Sequence, residues 1–275
     1  MSKEQEVLKL VSDFPNLSNR EIGKVIGLHR ATVSYYLLKN GIRRDRVVNQ
    51  KLNNTNRNTP VNISKRATEI LVGTLLGDSH VSKYHRDSIE SAKILNSNIS
   101  CGHSIKQKEY VLYLQNLLNE EGIITHFREN NKEYSSFCNG HRIISIGRCD
   151  LSTRRSITFN SWRDLWYVNG IKRVPSNIEE YFTPLCIAIW FMDDGSKNNC
   201  SYYLHTEGFL LEDIEYLRNL FKTKYNINTK LHNMRGKHII YICSDSKIQF
   251  AKLILPYICD SMKYKIFESH NIGSE

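Results

Sequence analysis

The chain has 275 residues, of which 40% are hydrophobic and 24% are charged, a composition typical of a globular protein with two or three domains. No apolar run is long enough to cross a bilayer, and the residues after Met1 have no apolar signal core, so we expect neither a membrane protein nor a secreted one. The net charge of +10 predicts a polyanionic partner.

The seven cysteines are odd in number and form no CxxC pair, which argues against a disulfide framework and against a zinc ribbon. We expect mostly buried free thiols in a reducing compartment. The cytoplasm of a prokaryotic or phage-infected host is the predicted location, and an organelle is the alternative.

The positive charge is concentrated at the N-terminus, where residues 1–66 contain 13 Lys and Arg against 5 Asp and Glu. The pattern predicts a first helix over residues 5–13 and a second helix that begins with a capping box at residues 18–21. Gly27 is predicted to make the turn into a third helix over residues 30–38.

This segment, residues 1–46, resembles a helix-turn-helix domain, whose third helix would lie in a DNA major groove. A small protein-binding bundle is the alternative. The candidates for DNA contacts lie on and after the third helix: Arg30, Ser34, Tyr35, Lys39, Arg43, Arg44 and Arg46. Residues 47–64 are rich in Asn, include Pro60 and show no apolar periodicity, so they predict a linker.

From residue 65 onward the same order of predicted elements occurs twice, over residues 65–180 and again over residues 181–275. Each half is predicted to contain an apolar helix, two strands, an amphipathic helix, a β-hairpin and a closing helix. The first hairpin is predicted to run from Ile124 to Ile146 around a polar loop. The predicted fold class is therefore α+β, with two pseudosymmetric αββαββα halves and a small all-α domain before them.

Each apolar helix ends in an acid, Asp78 in the first half and Asp194 in the second. The C-terminus of a helix carries partial negative charge, so an acid there is disfavoured unless a positive group compensates it. Gly73 and Gly77 share one helix face and would let the two helices approach closely. Packing about an approximate two-fold axis would then bring both acids to one end of the paired helices, where a divalent cation is the natural compensating charge.

The two apolar segments resemble the signature motifs of the LAGLIDADG homing endonucleases. Residues 71–79, LVGTLLGDS, match the first motif, although Ser79 stands where the motif usually has Gly. Residues 187–195, IAIWFMDDG, match the second and are preceded by FTPL. The resemblance covers residues 66–268.

This resemblance implies a monomer in which each half offers a curved sheet to the major groove of a long double-stranded DNA target. It also implies that Asp78 and Asp194 bind Mg²⁺, with Gly77 beside them and Asp193 as the alternative ligand. Mn²⁺ is expected to substitute, and Ca²⁺ is expected to support binding without cleavage.

The chemistry of phosphodiester hydrolysis agrees with these assignments. The reaction needs an activated water and a stabilised leaving oxygen, and metal ions held by two carboxylates supply both. The resemblance carries over one basic residue per half, Lys172 and Lys265, which would lower the cost of charge in the transition state. The implied activity is site-specific cleavage of both strands across the minor groove. None of the ten histidines lies in an HExxH motif, so we expect none to be a metal ligand.

Residues that face the DNA groove should alternate along the strands. The first-half candidates are His80, Ser82, Tyr84, Arg86, Arg128, Arg142, Arg148, Arg154 and Arg155. The second-half candidates are Tyr203, His205, Lys230, His232, Arg235 and Lys237.

Two other functions stay open for a chain with these motifs. One is a DNA-binding transcriptional regulator that kept the fold and lost cleavage, although the presence of both acids and both lysines argues against it. The other is an RNA-splicing maturase. An intein is disfavoured, because Asn271 is followed by Ile272 rather than by a nucleophile.

Overall fold

The computed structural model consists of two separately compact units, residues 1–59 and residues 60–275. The residues whose placement is described are 2–14, 17, 19–42, 60–86, 94–138 and 141–266. Several residues and ranges interpreted from the sequence lie outside this set: Ser18 of the predicted capping box, Arg43, Arg44, Arg46, residues 47–59 of the predicted linker, Asn271 and Ile272.

The first unit contains three short helices, α1 (Lys3–Asp13), α2 (Asn19–Ile26) and α3 (Arg30–Lys39). Four buried apolar side chains form their common core: Val7, Ile22, Val33 and Leu37. These helices lie where the apolar pattern predicted them.

Two glycines set the connection between α2 and α3. A Cβ at Gly23 would overlap the carbonyl oxygen of Leu28, so a larger residue would push the turn away from the helix. Gly27 adopts a φ of +70°, in the left-handed region that favours glycine. The turn predicted at Gly27 is therefore present.

The second unit contains two halves with matching elements. The first half comprises α4 (Lys65–Leu76), β1 (His80–Val81), β2 (His85–Arg86), β3 (Ile94–Leu95), β4 (Ile99–Ser104), α5 (Lys108–Glu120), β5 (Thr125–Cys138), β6 (His141–Thr153), α6 (Thr158–Trp166), β7 (Tyr167–Val168) and β8 (Ile171–Lys172). The second half comprises α7 (Pro184–Asp194), β9 (Gly195–Lys197), β10 (Tyr202–Leu204), α8 (Leu211–Tyr225), β11 (Thr229–Met234), β12 (Lys237–Ile242) and α9 (Lys247–Ile254), followed by a 3-10 helix (Asp260–Lys265).

Each half builds one four-stranded antiparallel sheet with the same topology. The strand order is β1-β4-β6-β5 in the first half and β9-β10-β12-β11 in the second. In both sheets the strand that follows the apolar helix lies at the edge, and the final hairpin completes the sheet. The predicted α+β class and the αββαββα repeat are confirmed.

Some predicted boundaries were wrong. α4 ends at Leu76, two residues before the acid, and Gly77 is its C-cap. The first-half hairpin continues to Thr153, beyond the predicted end, and contains a register shift between Asn130 and Glu133. That polar stretch resembles a loop in sequence because the strands carry polar side chains there, whereas the backbone continues the ladder past a bulge.

The two apolar helices pack directly against each other through glycine. A Cβ at Gly73 would lie 2.6 Å from the carbonyl oxygen of Cys186 and 2.9 Å from Cβ of Ile189, too close for any side chain. Hydroxyl caps begin both helices, since Ser64 accepts from Ala67 N–H in α4 and Thr183 plays the same part before α7.

None of the helices in the described part of the chain has the length and apolar character needed to cross a bilayer. The helices α4 and α7 instead lie in one continuous core, which the inner faces of both sheets also line.

Candidate active site

The C-terminal ends of α4 and α7 meet in a direct contact between the two motifs. The backbone N–H of Asp78, just beyond the end of α4, donates to Oδ2 of Asp193 at 3.3 Å. A Cβ at Gly77 would overlap Cβ of Asp193. Only one of these two facing positions can therefore carry a side chain, and in this chain it is the position in the second half.

The carboxylate of Asp193 is fully buried beneath this contact. Its Oδ1 accepts a hydrogen bond from the hydroxyl of Tyr110 in α5 at 2.6 Å. Burial raises the pKa of Asp193 well above its ordinary value, and the charges of Asp78 and Asp194 raise it further. Asp193 is thus a tightly held acid whose ionisation is opposed by its surroundings.

The neighbouring acid, Asp194, is the last residue of α7 and is half-buried. Burial raises the pKa of Asp194 to about 6, and the nearby charge of Asp78 contributes to the shift. Lys172, His205 and Lys265 act in the opposite direction. Asp78 and Asp194 therefore interact electrostatically across the junction of the two helices.

Two lysines occupy corresponding places at the helix ends. Nζ of Lys172, which lies in β8, donates to the carbonyl oxygens of Gly77 and Ser79 at 3.3 and 2.9 Å. Nζ of Lys265 donates to the carbonyl oxygen of Asp193 at 3.0 Å. Both lysines compensate the partial negative charge of a helix C-terminus. Burial lowers the pKa of Lys172 to about 8 and also lowers the pKa of Lys265, against the effect of the carboxylates.

The motif pattern did not single out His103, which the structure places between the acids. Its Nδ1 lies 3.5 Å from Oδ2 of Asp78, and its Nε2 lies 3.7 Å from Oδ1 of Asp193. Nε2 is buried and has no hydrogen-bond partner among the described residues. Alternation along β4 was the available signal, because it puts His103 on the same buried face as Ile99 and Cys101. Burial lowers the pKa of His103, and Asp78 opposes that shift.

Three side chains at this junction form a group that can hold a metal ion. One ligand atom from each of Asp78, His103 and Asp193 lies within 4.8 Å of the others. Burial is the main cause of the raised pKa values of Asp193 and Asp194, and the neighbouring carboxylates add to it; a bound cation would oppose both effects. The side chain of Asp78 is 42% exposed, whereas Asp193 is enclosed and accepts two hydrogen bonds. Asp78 and Asp194 are therefore less enclosed than Asp193.

The outer face of the first sheet, opposite the core, is polar. Strand register puts the following side chains on it: His80, Ser100, His126, Arg128, Asn130, Arg148, Asp150 and Ser152. Arg128 and Arg148 are exposed, and Arg148 pairs with Asp150 at 2.6 Å. The ring of His80 lies 3.3 Å from the hydroxyl of Ser100, and burial lowers its pKa.

Several first-half candidates make hydrogen bonds within the protein. These are Ser82 with Asn98 at 2.7 Å, Tyr84 with Asp164 at 3.1 Å and Arg155 with the carbonyl of Asn96 at 2.6 Å. Arg154 is half-buried. The side chains of Arg86 and Arg142 lie outside the described part of the chain. Contacts of these residues with DNA stay predictions.

The second sheet has a different outer face. Register puts six side chains on it: Ser196, Tyr203, Lys230, His232, Ile239 and Tyr241. Lys230 is exposed, as are Arg235 and Lys237 at the turn between β11 and β12. The ring of His205 lies 3.0 Å from the hydroxyl of Ser196, and the backbone N–H of His205 donates to the carbonyl of Asp194.

The candidate DNA-binding residues in the first unit differ in exposure and in the contacts that they already make within the protein. Tyr35 is 61% exposed, and Arg30 is exposed at the start of α3. Ser34 donates to the carbonyl of Arg30 at 3.1 Å, and Lys39 forms an ion pair with Glu4 at 2.9 Å. The predicted DNA contact of Lys39 would therefore compete with an existing pair.

Known proteins resemble this chain over most of its length. A family model described as the LAGLIDADG DNA endonuclease family matches residues 68–250. A protein of Debaryomyces hansenii named "Cytochrome b mRNA maturase bI2" is 32% identical over 206 residues, which cover 74% of each chain. A protein of Wickerhamomyces canadensis named "Probable intron-encoded endonuclease 1" is 29% identical over 217 residues, covering 74% of this chain and 85% of the relative.

A solved structure, "The homing endonuclease I-WcaI bound to its DNA recognition sequence", has a similar fold. It superposes with a TM-score of 0.61 at 27% sequence identity, covering 76% of this chain and 88% of that one.

Proposed function

The chain belongs to the LAGLIDADG DNA endonuclease family, and on that premise we propose that it is a site-specific, metal-dependent endonuclease. Its substrate would be a long double-stranded DNA target, with both strands cleaved across the minor groove. The observation that carries this proposal is the crowding of Asp78, Asp193 and Asp194 where α4 and α7 meet, beside two lysines.

We assign the cation to Asp78 and Asp194, with Mg²⁺ as the physiological ion and Mn²⁺ as a substitute. Carboxylate oxygens with room for water and phosphate suit Mg²⁺, whereas Ca²⁺ would support binding without cleavage. The chemistry that bound metal supplies is activation of a water and stabilisation of the leaving oxygen.

The other residues of the junction would position and balance this site. Asp193 fixes the end of α4, because its carboxylate accepts a hydrogen bond from the backbone N–H of Asp78. The hydroxyl of Tyr110 donates a second hydrogen bond that fixes Asp193 itself. Lys172 and Lys265 keep two positive charges beside the acids, where negative charge on a reacting phosphate would build up. Burial lowers the pKa of Lys172 by disfavouring its charged form, and the negative charge of that phosphate would stabilise this form.

The outer faces of the two sheets would cover the major groove on either side of the scissile bonds. Exposed cations, including Arg128 in the first half and Lys230 in the second, would contact phosphates or base edges. A monomer is the proposed active form, because one chain supplies both motif acids. The α1–α3 unit would add contacts to the same duplex as a helix-turn-helix.

A selection from randomised duplex DNA tests the proposal. The protein is incubated with the pool in Mg²⁺, in Ca²⁺ and with a chelator, and the DNA ends and the bound fraction are sequenced. Cuts at one sequence in Mg²⁺ alone are the expected result. Sequence-specific binding without cuts in Mg²⁺ would instead indicate a regulator on this fold.

A second candidate function is RNA splicing, favoured by the 32% identity to a relative named as a cytochrome b mRNA maturase. Splicing assistance requires RNA binding and does not require the two acids. An Asp78→Asn variant that still assists splicing of the transcript containing the chain's own coding sequence would support this function. The yeast source of that relative favours an organelle as the compartment over a prokaryotic host.

A further inference from the structure

We propose that the second sheet recognises thymine methyl groups in the major groove through an aromatic platform formed by Tyr203, His232 and Tyr241. This inference rests on the proposed function, because the platform lies on the sheet face that a target duplex would cover. It assigns base specificity to one half of the molecule.

The three rings of the platform form one continuous surface. The rings of His232 and Tyr241 are stacked, with centroids 4.5 Å apart and planes inclined by 13°. The ring of Tyr203 lies 5.3 Å from that of Tyr241 and 5.6 Å from that of His232. Such packing limits ring motion, so the surface is already formed before a ligand arrives.

Strand register places the platform on the outer face of the sheet. Tyr203 in β10 is directly opposite Tyr241 in β12, and His232 in β11 is opposite Ile239. Residues of the other parity, such as Leu204 and Ile240, belong to the main core. Ile239, opposite His232 on the same face, is fully buried and is not part of that core.

The platform offers apolar ring surface beside its few hydrogen-bonding groups. The hydroxyl of Tyr241 is already engaged, 2.9 Å from Oγ of Ser244. All three rings are half-buried, which leaves part of each ring exposed. Among the features of the major groove, the C5-methyl group of thymine is the one read by apolar contact.

The charges around the platform suit duplex DNA. Lys230 lies opposite Tyr241, and Arg235 and Lys237 are exposed at the turn that ends the same hairpin. These cations would hold phosphates while the rings contact bases. The outer face of the first sheet carries Ser, Asp and Arg side chains in the corresponding rows, so thymine methyl recognition should be confined to the second half.

The test replaces thymine with deoxyuridine, which removes the methyl group and leaves pairing unchanged. Duplexes carrying the selected target are made with deoxyuridine in one half-site at a time, and footprints of a Lys230→Ala variant identify the half-site of the second sheet. We expect affinity to fall about fourfold for each contacted methyl in that half-site and to stay unchanged for the other half-site.

Matched variants separate the platform from general stability. Tyr203→Ala and Tyr241→Ala should erase the difference between thymine and deoxyuridine, whereas Tyr241→Phe, which keeps the ring, should preserve it. Arg148→Ala on the first sheet should lower affinity for both duplexes without changing their ratio. Thermal melting of each variant shows whether the fold is retained.

Equal affinity of the unchanged chain for both duplexes would overturn this inference, as would a selected target without thymine in that half-site. Failure to bind any duplex would overturn the proposed function as well. If the alanine variants lose affinity for single-stranded RNA while the thymine to deoxyuridine ratio is unaffected, the rings stack on unpaired bases and the inference is wrong.

Discussion

The two halves of the second unit share one topology and differ where they touch each other. In each half a lysine donates to backbone carbonyls at or just beyond the end of the apolar helix, where an acid also stands. The residue before that acid is Gly77 in the first half and Asp193 in the second, and the two positions face each other too closely for two side chains. The repeat is therefore asymmetric at the helix junction, where only the second half carries a side chain.

The outer faces of the sheets differ for a separate reason. The first is polar and the second carries a cluster of rings, while the inner faces of both are apolar. Packing constrains the inner faces because any change of volume there is felt throughout the core. The outer faces are free of that constraint, so two copies of one fold can acquire different functions there.

The largest expected effect concerns the two motif acids, which occupy equivalent positions in the two halves. Asp78→Asn and Asp194→Asn should each lower the cleavage rate by about a hundredfold or more, because each removes a charge from the metal site. Asp193→Asn, which changes a positioning residue, should lower it by about 10–100-fold. Rates are measured on the selected target in Mg²⁺, with binding in Ca²⁺ as the control, and wild-type cleavage by either motif variant would refute the assignment.

The second effect is a pH-dependent gain of stability in Asp194→Asn. The pKa of Asp194 is raised from 3.8 to about 6 in the folded chain, so its ionisation opposes folding, by an amount that grows between these two pH values and is constant above them. Removing the charge should raise the free energy of unfolding by about 2 kcal/mol at a pH of about 8, and the gain should vanish below a pH of about 4. Urea unfolding with a chelator present measures it, and an equal gain at both pH values would show that the buried charge is not its cause.

A third variant breaks the asymmetry at the helix junction. Gly77→Ala should lower the free energy of unfolding by about 1–3 kcal/mol, because the new methyl overlaps Cβ of Asp193. Combining it with Asp193→Gly should restore part of the loss, since the exchange reverses which half carries the side chain. Thermal unfolding of both single variants and of the double variant gives the coupling, and strictly additive effects would show that the two positions do not collide.

The smallest expected effect is on the salt dependence of DNA affinity, after one exposed cation is removed from either half. Arg128→Ala and Lys230→Ala each remove one exposed cation, so each should reduce the slope of log affinity against log salt by about 0.9. Titrations of the selected duplex over a range of salt measure the slopes. A change of slope in only one variant would mean that the two halves contact the DNA phosphates unequally.

Much of the fold and part of the site followed from local patterns. The repeat, the helix pair and the glycines at their contact were predictable, because apolar periodicity and small residues report on packing. His103 was not, since no motif surrounds it and its place depends on how β4 packs near the ends of α4 and α7. The hydrogen bonds of Ser82 and Arg155 were hidden for the same reason, because their partners come from other elements.

The amino-acid sequence by itself determined the two apolar helices with their terminal acids, the doubled αββαββα order and the basic N-terminal helices, all of which depend on neighbours within a few turns of chain. The tertiary structure alone decided that Asp193 is buried against Tyr110 and Asp78, that His103 joins them, and that three rings share one face of the second sheet. The physical reason is distance along the chain: these contacts join residues of different elements, and only the packed core and the strand register bring them together.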